Sequence, residues 1–362
     1  MSAPAQASID RLIEGWNGEA VVVRFDRPTG TWMFIALHDT SLGPAVGGCR
    51  MKRYPAPHHG LRDAMRLAEG MTSKWAGIGF PFGGGKSVLA IPGPLSDPDR
   101  EGLLRRFGRL LNTLRGTYVT GEDLGTTPAD MSIIAEETPH VHARPGELLD
   151  PGPYTALGVF AGIEAAVART GTNGGAIEGL RVLVQGVGDV GAPLARMLAD
   201  RGARLLLSDI DAERVAALAS EIGGTVVSPE DVYTTECDVY APCAVGATLN
   251  PGTVEDLRCA IVAGSANNQL DSSRVADRLA QRGIVYVPDY IVNAGGATAL
   301  PMVAEGADED SIRERVLRVG SVVKEILDRA AERGTTPAAA ADERVRETLE
   351  NAAGGRLTLS VS

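Results

Sequence analysis

A chain of 362 residues, 44% hydrophobic and 22% charged, is long enough for two cored domains and has a globular composition, which excludes disordered and fibrous classes. Its formal net charge of -11 argues against nucleic acid or an anionic membrane surface as a partner. No run reaches the apolar length of a membrane span and the start MSAPAQASID lacks a leader's basic and apolar regions, so a cytoplasmic location is expected.

In chain order, Ala20 to Phe25 and Thr31 to Leu37 read as two strands joined by Asp26-Arg27-Pro28-Thr29-Gly30. From Leu61, the apolar residues Leu61, Met65, Ala68 and Met71 recur at helical spacing and deliver the chain to Lys74. The stretch Met71 to Val88, MTSKWAGIGFPFGGGKSV, places Lys74 and Lys86 12 residues apart in apolar, glycine-rich surroundings. A lysine buried among apolar groups loses basicity and becomes able to move protons near neutral pH. The competing reading is a surface turn with both amines in water. A loop from Gly77 to Gly85 would fold the chain back and bring both amines toward one substrate. Gly85-Lys86-Ser87 also resembles the end of a Walker A phosphate loop, but Phe80 stands where that motif needs its first glycine.

Further on, Ser96 or Asp97 caps a helix with Pro98 in its first turn and the stripe Leu103, Phe107, Leu110, Leu114. The β-prone Tyr118-Val119-Thr120 runs into Gly121-Glu122-Asp123. Thr127, Pro128 and Asp130 then open a helix with Met131 and Ile134 on its apolar side, and Asp123 could simply cap it. Pro145 to Pro153 is rich in proline and glycine, and Asp150-Pro151-Gly152-Pro153 is the expected domain boundary.

Leu180 to Gln185 is a continuous apolar run, as expected of a strand buried on both faces of a parallel sheet. It ends at Gly186-Val187-Gly188-Asp189-Val190-Gly191, and a helix follows as far as Gly202. A second apolar run, Arg204 to Ser208, ends in Asp209, 18 residues after Gly191. Strand, glycine loop, helix, strand and acid in that order point to a dinucleotide site: Gly186 for the turn, Gly188 for phosphate approach, Gly191 for helix packing, Asp209 for the ribose hydroxyls. Asp209 would repel a 2′-phosphate and no arginine directly follows it, so NAD is expected rather than NADP. Further β-like runs at Val226-Val227, Val239-Tyr240, Ile261 to Ala263 and Ile284 to Val287 suggest a doubly wound sheet. A long amphipathic helix is expected from Asp310 to about Arg333, another from Thr336-Pro337, and an edge strand over Arg356 to Ser362 whose free edge invites a second copy. Cys49, Cys237, Cys243 and Cys259 form no CxxC pair and the five histidines do not join them at ligand spacing, so reduced thiols and no metal site are expected.

Across nearly its whole length the sequence resembles the leucine, phenylalanine and valine dehydrogenases of the glutamate dehydrogenase superfamily. The matching pieces are HDTSLGPAVGGCRM from His38, AMRLAEGMTSK from Ala64, GGGKSV from Gly83, TGEDLGTT from Thr120, VLVQGVGDVG from Val182, APCAVG from Ala241, AGSANN from Ala263 and PDYIVNAGG from Pro288. The resemblance implies an α/β fold in two domains. One is a substrate, catalytic and oligomerisation domain, 1–149 with 330–362 returning to it; the other is a Rossmann NAD-binding domain, 150–329, and the cleft is expected between them. It implies that Lys74 binds the substrate carboxylate, that Lys86 acts in acid-base catalysis, and that Asp123 handles the proton on the substrate amine or a carbinolamine. Gly47 and Gly48 are similar to the segment lining the carboxylate site. Asn293 matches an asparagine near the reacting carbon, and Thr155 a threonine facing the nicotinamide. Leu42, Gly121, Ala297 and Leu300 match side-chain pocket positions. The cofactor site extends to Asp189, Val190, Ala241, Pro242, Cys243, Ala266 and Asn267, with Cys243 a packing residue and no nucleophile.

The implied reaction is reversible, NAD-dependent deamination of leucine, valine, isoleucine or phenylalanine to the 2-oxo acid and ammonia by a homo-oligomer. Trp75, Phe80-Pro81-Phe82 and Pro92-Gly93 depart from the pattern and bear on substrate preference. Two other readings stand beside it: a catalytically silent nucleotide-binding scaffold, and a related enzyme that condenses or aminates an aromatic 2-oxo acid.

Overall fold

In the computed structural model, which describes residues 9–142, 150–244 and 246–359, one short helix leads into a five-stranded sheet. Helix α1 (Ile9–Glu14) precedes the hairpin β1 (Ala20–Asp26) and β2 (Thr31–Asp39). Then follow β3 (Ala45–Lys52), α2 (Pro57–Gly77), β4 (Gly83–Ala90), α3 (Asp97–Thr113), β5 (Tyr118–Glu122) and α4 (Pro128–Ala135). The strand order is β1-β2-β4-β3-β5, with β2 antiparallel to β1 and β4, and β3 parallel to β4 and β5. Strand alternation sorts the core into two layers. Met33, Ile35, Cys49, Met51 and Leu89 meet α3 and α4, while Phe34, Ala36, Val88 and Ala90 meet α2 through Leu61, Ala64, Met65 and Ala68.

The loop expected from Gly77 to Gly85 is corrected. Gly83 to Gly85 and Lys86 lie in β4, every residue of which is buried. Glycine serves close packing here: a Cβ on Gly84 would stand 2.0 Å from Thr72 Oγ1 and 2.5 Å from the Ala68 carbonyl of α2. The departures Trp75, Phe80 and Phe82 form one aromatic cluster, with ring centroids 5.2 to 5.6 Å apart. Trp75 is 1% exposed and its indole N–H donates to the Val46 carbonyl at 3.1 Å, tying the end of α2 to β3.

The second unit is doubly wound. It comprises α5 (Pro151–Thr170), β6 (Arg181–Gln185), α6 (Gly191–Asp200), β7 (Arg204–Ser208), α7 (Ala212–Ile222), β8 (Thr225–Val226), β9 (Val239–Pro242), α8 (Pro251–Asp256), β10 (Ile261–Val262), α9 (Ser273–Gln281) and β11 (Val285–Tyr286). Helices α10 (Asp289–Val292), α11 (Gly295–Ala304), α12 (Glu309–Arg333) and α13 (Pro337–Leu359) complete the chain. Its six strands run parallel in the order β11-β10-β9-β6-β7-β8, reversing direction of build between β6 and β9.

The chain divides into two compact units, Met1–Leu149 with Val345–Ser362, and Asp150–Arg344. The return to the first unit thus falls inside α13, later than the expected 330, and just before it Tyr290 donates its hydroxyl to Asp342 at 2.9 Å within the second unit. The edge strand expected over Arg356 to Ser362 is also corrected: α13 continues through Leu359, and 360–362 lie outside the described residues. That removes the strand-edge rationale for assembly. Within the expected boundary stretch, 145–149 likewise lie outside the described residues, and Asp150 caps α5 by accepting from the Gly152 amide at 2.9 Å.

Trp75→Ala deletes a fully buried indole together with its hydrogen bond, so chemical denaturation should record a loss of about 3–5 kcal/mol.

Candidate active site

Strand parity fixes where the chemistry of the first unit sits. Lys86 shares its face of β4 with Val88 and Ala90, and Arg50 shares its face of β3 with Gly48, so both project to the α2 side. Asp123 follows β5 directly, two strands from β4. Topology therefore brings Lys86 Nζ to 3.1 Å from Asp123 Oδ1, with the lysine side chain 7% and the aspartate 22% exposed. Arg50 Nε donates to Asp123 Oδ2 at 2.7 Å and Nη1 to Asp63 Oδ2 at 3.1 Å. Tyr54 donates its hydroxyl to the same Asp63 oxygen at 2.7 Å, and Arg66 reaches the other at 2.9 Å. The Asp123 amide donates to Thr126 Oγ1 at 3.0 Å, which fixes its backbone.

Burial holds the Lys86 amine below its ordinary value; the Asp123 carboxylate opposes this and Arg50 adds to the depression. Burial works to raise Asp123, yet Lys86 and Arg50 overcome it and hold the carboxyl below the usual range. The arrangement is a desolvated amine with a committed carboxylate beside it, suited to passing a proton in either direction.

Gly47 and Gly48 are packed tightly. A Cβ on Gly47 would stand 1.8 Å from the Gly85 carbonyl, and one on Gly48 would stand 2.8 Å from Asp123 Cβ. Lys74 occupies the last turn of α2, half-buried, beyond the Thr72 that faces Gly84. Leu42 lies partly buried in the turn after β2, and Gly121, on β5, has room for a Cβ whose nearest neighbour is His142 Cβ at 3.9 Å.

The second unit carries the glycine loop where the sheet reverses. Gly186 adopts φ +91° at the end of β6 beside Ala244, a conformation that favours glycine. A Cβ on Gly191 would stand 1.8 Å from the Gly186 carbonyl, whereas one on Gly188 would meet nothing within 4 Å. Gly188 thus borders open space beside the start of α6, as close approach of a phosphate requires. Val190 and Asp189 complete the turn. Asp209 Oδ2 accepts from the Val187 amide at 2.8 Å, which orients the acid toward the loop, and Oδ1 accepts from the Asp211 amide and from Arg214 Nη2, both at 2.9 Å. Arg214, five positions beyond Asp209, was not singled out from the sequence. A cation four or five residues beyond a strand-end acid, in the first turn of the next helix, is the signal that could have found it.

Ala241 and Pro242 close β9, and the Ala266 amide donates to the Pro242 carbonyl at 2.9 Å. Cys243 follows, its thiol pushed up by burial, which suits packing. Asn293 is 5% exposed; Nδ2 donates to Asn267 Oδ1 at 2.9 Å and to the Ser265 carbonyl at 3.1 Å, while Oδ1 is buried with no partner in the structure. An orphaned buried acceptor of this kind suits a ligand donor. Thr155 Oγ1 donates to the Pro151 carbonyl at 2.9 Å and accepts from the Gly296 amide at 3.2 Å. Ala297 and Leu300 lie three apart on α11, both half-buried, and so share a face. Sequence reasoning also missed Arg50, Asp63 and Tyr54, whose link to Asp123 depends on tertiary pairing alone.

Residues 21–140 match the Glu/Leu/Phe/Val dehydrogenase dimerisation domain, and residues 208–344 match the Glutamate/Leucine/Phenylalanine/Valine dehydrogenase domain. Leucine dehydrogenase of Bacillus subtilis is 40% identical over 344 residues, covering 94% of this chain and 93% of that enzyme. The crystal structure of L-tryptophan dehydrogenase from Nostoc punctiforme superposes with a TM-score of 0.84 at 35% identity, covering 95% of this chain and 99% of that one. The hetero-hexameric glutamate dehydrogenase of Thermus thermophilus, in its Leu-bound form, has a TM-score of 0.74 at 26% identity, covering 92% and 88%.

The folded-state value of Asp123 lies below the unfolded one, so its stabilisation is complete above the ordinary carboxylate range and is lost as pH falls through the lowered value. Asp123→Asn should therefore cost roughly 3–5 kcal/mol at neutral pH, by stranding buried cations, and the gap to the parent should narrow as pH falls below the ordinary carboxylate range. Urea unfolding across that range checks it, and a gap independent of pH would contradict the assignment.

Proposed function

This chain belongs to the Glu/Leu/Phe/Val dehydrogenase family, and from that premise we propose that it catalyses the reversible, NAD-dependent oxidative deamination of an apolar L-amino acid. An L-amino acid, water and NAD+ give the 2-oxo acid, ammonium, NADH and a proton. The observation that supports this most directly is the buried Lys86–Asp123 pair at 3.1 Å.

Lys74 pairs its side chain with the substrate carboxylate. Bound NAD would supply the hydride acceptor for the substrate α-hydrogen. The depressed basicity of Lys86 leaves its amine able to take a proton from the water that adds to the substrate iminium. Asp123 carries the proton to and from the departing nitrogen, and the Asn293 carboxamide, with its free buried acceptor, orients the reacting end. Gly188, on the turn that Gly186 and Gly191 permit, would let the pyrophosphate approach the backbone at the start of α6, and Asp209 would receive the adenosine ribose hydroxyls. Arg214 is already engaged by Asp209, which leaves the carboxylate in command of that position and favours NAD over its 2′-phosphorylated counterpart.

In the first unit Leu42 and the open space over Gly121, and in the second Ala297 and Leu300, are each assigned to recognition of an apolar substrate side chain. Leucine, valine, isoleucine and phenylalanine are the proposed substrates. The relatives named for leucine and tryptophan both act on apolar side chains. A homo-oligomer is proposed from the match to a dimerisation domain. No helix among the described residues is long and apolar enough to cross a membrane, in keeping with the proposed cytoplasmic location.

NADH formation with a panel of L-amino acids, and NADH loss with 2-oxo acids plus ammonia, tests the reaction. Turnover should follow apolar side chains, and Lys86→Ala should lower kcat by about 10²–10⁴-fold; near-parent turnover in that variant would remove Lys86 from the mechanism. For the cofactor, KM for NAD should lie well below that for NADP. Asp209→Ala should narrow the ratio by freeing Arg214 for a phosphate, and equal use of both by the parent would refute the preference.

A further inference from the structure

The reaction proposed above gives Arg50 no contact with substrate, yet its guanidinium is one of the most constrained side chains of the first unit. It is 18% exposed and lies between two carboxylates, Asp123 and Asp63, themselves 22% and 14% exposed. Its Nε is committed to Asp123 Oδ2 and its Nη1 to Asp63 Oδ2. Asp63 is in turn held from the far side by Tyr54 and Arg66. Strand β3, the segment after it that carries Tyr54, α2 and the segment after β5 all contribute to this chain of contacts, and it ends on Lys86 of β4.

Resting on the proposed deamination, we propose that Arg50 is a positioning residue: it clamps Oδ2 of Asp123 so that Oδ1 faces Lys86, with Asp63 and Tyr54 holding the guanidinium in place. A carboxylate paired with one amine alone rotates and exchanges its oxygens. The planar fork of arginine removes that freedom by bonding two carboxylates at fixed angles, which a lysine's point charge cannot do. The clamp also adds a cation beside Lys86. The charged and titratable groups around the pair are Arg50 and the buried thiol of Cys49 from β3, Asp63 and Arg66 from α2, Tyr54, the buried phenol of Tyr118 from β5, and Asp130 and Glu122 near Asp123.

Geometry and charge separate in two substitutions of the full-length chain. Arg50→Lys keeps the cation and loses the fork, so kcat should fall by about 100-fold, the scale of a small misplacement in a reacting constellation, with KM for the amino acid little changed. Arg50→Gln also removes the cation, so the Lys86 amine becomes more basic and the rising limb of kcat/KM moves to higher pH; Arg50→Lys returns the limb without restoring kcat. The chain has only four lysines, Lys52, Lys74, Lys86 and Lys324, so NMR titration of isotopically labelled lysine side chains reads the same shift without turnover.

Parent kcat in Arg50→Lys, or a Lys86 titration that does not move in Arg50→Gln, overturns the proposal. Where Arg50→Lys does not fold, Tyr54→Phe decides: loss of that one hydroxyl should lower kcat in the same direction at near-parent thermal stability, and parent kcat overturns the clamp. If the parent oxidises no amino acid at all, the deamination itself fails, while the titration still reports on the clamp.

Discussion

Burying a lysine amine in the middle of a sheet is unfavourable unless the charge is met, and Lys86 is 5% exposed. The first unit is arranged to meet it. Asp123 supplies the counter-charge, Arg50 occupies that carboxylate's second oxygen, and Asp63 balances Arg50. Each added partner lies one step further from the amine, and none is more than 22% exposed. The result leaves Lys86 short of full compensation, since burial still outweighs the attraction of Asp123. A fully compensated amine would keep its proton and do no acid-base work near neutral pH; an uncompensated one would destabilise the sheet.

The same constraint explains the glycines around it. Gly84 lets α2 sit against β4, Gly47 lets β3 pass the Gly85 carbonyl, and Gly48 makes room for Asp123. A side chain at any of them would push apart the surfaces that hold the ion pair at 3.1 Å. Packing density and site geometry are here one requirement. The second unit solves a separate problem with similar means: Gly191 allows α6 to start against the Gly186 carbonyl, and Asp209, fixed by the Val187 amide, shapes the same loop from the neighbouring strand.

Much of this was legible along the chain. Periodicity located α2, α3, β6, β7 and α12, and the caps at Ser96 and Thr127 appear as expected, the latter as a full capping box with Asp130. Periodicity failed where packing inverted the usual meaning of a residue. Three consecutive glycines suggest a loop, but in β4 they are the consequence of a helix lying close against a strand. The alternating tail, Arg356 to Leu359, extends a long helix, because alternation over four residues fits the end of a helix as well as a strand. Motif likeness named Lys86 and Asp123 but could not join them; only the placement of β3 between β4 and β5 does so. Arg50 sat inside a recognised motif with no role, because nothing local marks a side chain whose partners are Asp63 and Asp123.

Composition holds one more signal. Lysine and arginine together number 35, and four are lysine, leaving 31 arginines, so arginine supplies almost all of this protein's positive charge. Of the exceptions, Lys324 pairs with Asp328 at 2.6 Å and Lys52 lies over the Tyr54 ring at 4.7 Å, both tasks that arginine performs equally well. Lys86 is different. Arginine cannot give up its proton within reach of neutral pH, so it could replace Lys86 as a counter-ion to Asp123 but not as a base. A lysine that stays in the interior of a sheet, in a chain that otherwise uses arginine, is best accounted for by the one property arginine lacks. The clamp on Asp123 follows the complementary rule: Arg50 must never titrate and must hold two carboxylates at once, and there the guanidinium is the side chain that fits.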